Sequence, residues 1–162
     1  MRHTLVKSIF TSKHLTIEVK EACLTKLAEF DTSDMLGRTQ KYCEGANPDP
    51  VKKREAFIAL FENQNDMSLQ HVQEMCRGFR QFGQRELIET FADEFFERIE
   101  DLVNNVAYSL TRFIYIFLQP SLNCTDEELA RYHALKAKLE GYSEAEKKEG
   151  SDRLLKWVKD SI

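Results

Sequence analysis

The sequence predicts an all-α fold of stacked antiparallel helix pairs, with about eight or nine helices in a single helical domain, residues 1–162. Three observations carry that expectation. Strong breakers are few, three Pro and six Gly, while good helix formers fill the spaces between them. Hydrophobic residues make up 42% and charged residues 31%, which suits a chain that buries a core and rules out a disordered one. Apolar residues also recur at helical spacing between capping residues placed at short intervals.

Taken in order, a first helix is expected over residues 3–11. A second runs from about Thr16 to Phe30, with Val19, Cys23, Leu27 and Phe30 on one stripe and Leu24 beside it. Asp31-Thr32-Ser33-Asp34 offers capping oxygens for a third, which reaches about Glu44 and stops at Gly45. Asp49 and Pro50 are a good N-cap and a good first helical residue for a fourth. Its apolar side would be Val51, Phe57, Ile58, Leu60 and Phe61. The three adjacent cations Lys52-Lys53-Arg54 span a wide arc at 100° per residue, so they are expected on the solvated face rather than along a phosphate track. Cations in a first turn oppose the helix dipole. The C-terminal end of the preceding helix, folded back alongside, would compensate.

Asp66 or Ser68 caps a fifth helix carrying Leu69, Val72, Met75 and Cys76. Gly78 and Gly83 bracket a turn, FRQF. One long helix is expected from about Gln84 to Leu102, with Leu87, Ile88, Phe91, Phe95, Phe96 and Ile99 inward. Another follows from about Asn105 to Leu118, ended by Pro120. Thr125 and Glu128 form a capping box for a helix that ends near Gly141. Ser143 and Glu146 repeat that pattern before a last helical segment. Gly150 can break this segment, with Ser151 as a second cap and Leu154, Leu155, Trp157 and Val158 as its apolar side. No strict repeat is visible. Loops of a few residues still imply antiparallel neighbours, hence a HEAT/armadillo-like α-solenoid or a compact bundle.

The net charge of −4 argues against a nucleic-acid partner. The most apolar run, FIYIFL at residues 113–118, falls far short of the ~20 residues of a membrane span, so no membrane partner is expected. Cys23, Cys43, Cys76 and Cys124 show no CxxC spacing and read as reduced thiols, which points to a cytoplasmic protein. No HExxH occurs, and His71 and Cys76 fall on different sides of one helix. There is no GxSxG elbow and no glycine-rich phosphate loop. Glu127-Glu128 is explained by capping. Tyr108, Tyr115 and Tyr132 are better read as helix anchors than as ligand donors. From the residues alone, no catalytic, cofactor-binding or metal site emerges, and the substrate-binding residues are open.

Four segments, in order, resemble the C-terminal helical domain of the zinc aminopeptidases related to aminopeptidase N and the endoplasmic-reticulum aminopeptidases. FDTSDMLGR, with Asp31, Ser33, Gly37 and Arg38, is similar to the family's Asp-x-Thr…Gly-Arg helix start. GANPDPVKKREAFIALF is similar to its A-x-P-D-P-x-x-K-x-x-A-W boundary, with Phe57 in place of Trp. GFRQFGQRELIETFADEFFERI is similar to its GF-x-Q-x-x-Q segment, with Phe91 where Tyr is frequent. EGSDRLLKWVKDSI is similar to its closing helix, with Lys156 in place of Arg. The resemblance covers roughly residues 15–162.

The resemblance implies a non-catalytic part of a longer peptidase. In that family an upstream catalytic domain holds zinc through HExxH and a later Glu, and the helical domain arches over it to enclose a chamber for peptide substrates. The implied cofactor is therefore none in this chain and zinc in the parent enzyme. The implied partners are the catalytic domain of the same chain and the parent's peptide substrates. Some members set a cation of this domain near the substrate's C-terminal carboxylate; Arg38, Arg80, Arg85 and Arg112 are candidates by charge alone. This reading expects an exposed apolar edge on residues 3–30, where preceding helices would pack. The alternative is a stand-alone α-solenoid module that binds a protein or peptide, which calls for polar terminal helices. A free-standing enzyme is the third possibility.

Overall fold

The computed structural model describes residues 1–12, 14–119 and 125–162. Their regular structure is all helical, with no strand among them. Ten α-helices follow one another: α1 Arg2–Thr11, α2 Ile17–Phe30, α3 Asp34–Ala46, α4 Pro50–Glu62, α5 Leu69–Phe79, α6 Arg85–Glu89, α7 Ala92–Asn105, α8 Tyr108–Leu118, α9 Asp126–Glu140 and α10 Ser151–Asp160. Short 3₁₀ turns at Gln64–Asp66 and Phe82–Gln84 flank α5. The helices α1, α3, α5 and α8 stack in that order, and each also meets a helix of the other row, as in the solenoid-like packing of helix pairs.

Several caps form as their residues dictate. The Asp49 carboxylate accepts from the N–H groups of Val51 and Lys52, at 2.9 and 3.0 Å, ahead of Pro50. Ser68, not Asp66, caps α5 through the His71 N–H. Thr125 and Glu128 complete a capping box on α9. Pro120 and Cys124 lie outside the described residues.

Other expectations need correction. Helix α3 does not stop at Gly45 but continues to Ala46. Gly45 and Gly78 are both helical, and they exist to let α3 and α5 touch. A Cβ at Gly45 would lie 2.2 Å from the Met75 carbonyl oxygen, and one at Gly78 would lie 2.0 Å from that of Tyr42. The turn after α5 is accordingly shorter than FRQF.

The single helix expected from Gln84 to Leu102 is two, α6 and α7, parted at Thr90-Phe91. The break lets Phe91 turn inward and stack on Phe57, ring centroids 5.0 Å apart, with Phe79 at 5.8 Å. Helix α8 begins at Tyr108, because α7 holds its helix through Asn105. Ser143 and Glu146 do bond to each other, yet residues 142–149 make turns and no helix. Gly150 sits at the N-cap of α10, pressed against α7, where its N–H donates to Asn104 Oδ1 at 2.9 Å.

Two apolar clusters result. The larger joins α4 to α10 around Phe57, Phe79, Phe95, Ile99, Ile114 and Leu154. The smaller holds α1, α2 and α3 through Val6, Phe10, Leu27, Cys43 and Ala46. The expected α2 stripe is only partly inward. Leu27 is buried, but Val19 and Phe30 are 45% and 64% exposed. Val51, expected on the apolar side of α4, is 66% exposed.

Candidate functional site

The cationic run of α4 is not uniformly solvated. Lys52 faces water and pairs with Glu55. Arg54 is exposed, pairs with Glu94, and lies over the rings of Phe57 and Phe91. Lys53 is fully buried. Its ammonium donates to the Gly45 carbonyl at 2.7 Å, the Phe79 carbonyl at 2.6 Å and Gln84 Oε1 at 2.7 Å. It also stands 4.3 Å from the centre of the Phe79 ring.

Gly45 and Phe79 belong to the last turns of α3 and α5, whose carbonyls lack helical partners. The helix dipoles place partial negative charge there, so a cation is favoured. The compensation expected from a preceding helix end is thus realised for Lys53 alone. Burial pushes its amine down to about 7, while three acceptors favour the ammonium that can satisfy them all. Gln84 continues the network by donating to the Ala46 carbonyl at 2.8 Å. Gln81 caps the Gly78 carbonyl at 2.8 Å and reaches the Tyr42 hydroxyl.

The sequence carried a signal for this inversion. Lys53 precedes Ala56, Phe57 and Leu60 by three, four and seven residues, so it lies on their stripe. Lys20 does the same toward Cys23, Leu24 and Leu27. It too is buried, and it donates to the Phe10 carbonyl at 2.9 Å. The two lysines occupy matching places, each the fourth residue of its helix. Each meets a carbonyl on the penultimate residue of the helix before. This is a structural repeat that residue identity hides.

The candidate cations do not form one site. Arg38 pairs with Asp34 on its own helix at 2.6 Å. Arg80 donates to the Ile116 carbonyl of α8, and Arg112 of α8 reaches the Tyr108 hydroxyl at 3.3 Å. Arg85 belongs to α6. Tyr115 and Tyr132 anchor helices, the first to Ser161 at 2.9 Å and the second to Gln119 at 3.0 Å.

No group of three or more His, Cys, Asp or Glu side chains among the described residues is placed to hold a metal ion. His71 faces Gly37 and Asp34, while Cys76 is buried. Burial pushes the Cys43 thiol up to about 12 and that of Cys76 higher still, which leaves both unreactive. No helix among the described residues is long and apolar enough to cross a membrane.

Two of the concave features combine polar groups with an apolar lining. A cleft of about 550 Å³ lies among α2, α3 and α4, with Glu21, Glu44 and Glu55 around Phe10, Leu24 and Cys43. A groove of about 450 Å³ lies between α8 and α10, with Tyr108, Tyr115 and Trp157 as its floor and Arg112, Arg153 and Lys156 around it. No protein-family model matches this chain, and no curated protein matches it.

Proposed function

We propose that this chain is the non-catalytic C-terminal helical domain of a zinc aminopeptidase that removes N-terminal residues from peptides, covering the substrate chamber of an upstream catalytic domain. The observation that carries this reading is the unfinished edge at α1 and α2. Six of the eleven exposed large apolar side chains among the described residues fall within the first 35 positions: Met1, Leu5, Leu15, Val19, Phe30 and Met35. Leu5, Val19 and Phe30 stand exposed on α1 and α2 themselves, among polar neighbours, and a further helix packed over them would cover them. Two of the four segments that carry the resemblance also meet at one place. Asp49, Lys53, Gly78, Phe79, Gln81 and Gln84 converge on the α3–α4–α5 junction. Buried free thiols support a cytoplasmic location.

The alternative is a stand-alone α-solenoid module that binds a protein or peptide. The groove between α8 and α10 favours it. An antibody to this chain, used on extract of the source cells and followed by mass spectrometry of the captured band, separates the two. A much larger polypeptide yielding an upstream HExxH peptide is the expected result. A band the size of this chain, with no peptides preceding it, would leave the binding module.

A further inference from the structure

The groove between α8 and α10 departs from the charge pattern of the rest of the molecule. Most cations meet a carboxylate: Arg131 meets Glu89 and Asp93, Arg98 meets Glu62 and Glu94, and Lys138 meets Glu100. Among the described residues, Arg112, Arg153 and Lys156 meet none, although all three line one groove. Arg112 and Lys156 are exposed. Arg153 donates to the Val103 carbonyl at 3.2 Å and lies 5.6 Å over the Tyr108 ring, and its buried Nε has no hydrogen-bond partner. The groove's single carboxylate, Asp160, leaves two of the three positive charges uncompensated. In a chain of net charge −4, this is a local surplus.

The floor is aromatic. Trp157 lies 5.3 Å from Tyr115 and 5.8 Å from Tyr108, and Tyr108 is 43% exposed. Partly exposed Trp and Tyr beside Arg is the composition of an interface anchor point. Carboxylates suit a guanidinium fork, and an apolar side chain suits the ring faces. We infer that this groove docks an acidic peptide segment of a partner, with two carboxylates flanking an apolar residue that lies on Trp157. Such docking would occur whether or not this chain belongs to an aminopeptidase.

Trp157 is the only tryptophan in the chain, so its fluorescence reports on the groove alone. The probe is acetyl-Glu-Phe-Glu-amide, compared with acetyl-Gln-Phe-Gln-amide and with N-acetylphenylalanine. The acidic tripeptide is expected to bind roughly tenfold more tightly than its neutral analogue at low salt. That advantage should shrink as salt is added. Combining Arg112→Gln with Lys156→Gln, both at exposed positions, should remove the preference while leaving the helical circular dichroism and melting unchanged. Equal binding of acidic and neutral peptides, or no fluorescence response to millimolar peptide, would overturn the inference. Binding of N-acetylphenylalanine as tight as that of the acidic tripeptide would overturn it too, in favour of a pocket for a single carboxylate.

Discussion

The pairs α1–α2 and α3–α4 are built on the same device and finished differently. In both, a lysine in the first turn of the second helix reaches back to a carbonyl at the end of the first. Lys20 has that one acceptor and a thin cover of five buried apolar residues. Lys53 has three acceptors, an aromatic ring and the main core around it. The α1–α2 end is otherwise tied by polar staples. His3 joins Thr39 at 2.9 Å and Asp31 at 2.7 Å, and Lys7 pairs with Glu74. The difference shows that one contact can lock a junction or merely align it, depending on what closes over it. Stability along such a stack is uneven, and the thinly covered end is expected to open first.

The sharpest way to break the comparison is to remove each lysine. Lys53→Met leaves three buried acceptors unpaired and should cost about 3–5 kcal/mol in urea unfolding. Lys20→Met strands one acceptor in a sparsely packed region and should cost about 1–2 kcal/mol. Equal losses would erase the distinction between the two pairs.

A smaller effect is expected from acid. Hydrogen bonds from Ser33, through its hydroxyl and its backbone N–H, and from His3 hold the Asp31 carboxyl down to about 2, against its ordinary 3.8. A carboxyl lowered by folding contributes stability above its ordinary value and loses it as pH falls through the folded value. Amide exchange in α1 should therefore accelerate between about pH 4 and pH 2, ahead of exchange in α5. Synchronous acceleration in both helices would show that the staple is not what holds α1. The smallest effect is expected from Phe30→Ser. Its ring is 64% exposed, so the isolated chain should change by no more than ~0.5 kcal/mol, while self-association should fall.

The helical class, the Asp49-Pro50 start and the Thr125 capping box were legible because each depends on neighbours in sequence. The fate of Lys53 was not, since its acceptors lie 8, 26 and 31 residues away. Its place on the apolar stripe was visible, but charge suggested the opposite face. Gly45 and Gly78 were read as punctuation, whereas their purpose is a helix–helix approach that no local pattern reveals. The break at Phe91 likewise answers to Phe57 and Phe79 rather than to its own neighbours. The α8–α10 groove needs residues from two helices and was invisible for the same reason, although Tyr108, Arg112, Tyr115, Lys156 and Trp157 each drew notice singly and in other roles.

Under the proposed function, α1 and α2 form an edge that further chain would cover. Hydrogen exchange of this 162-residue chain, compared with the same residues in polypeptide purified from the source, tests it most directly. The expected result is that α1 and α2 amides exchange far faster in this chain alone, while those of α4, α5 and α8 are unchanged. Identical protection of α1 and α2 in both would contradict it.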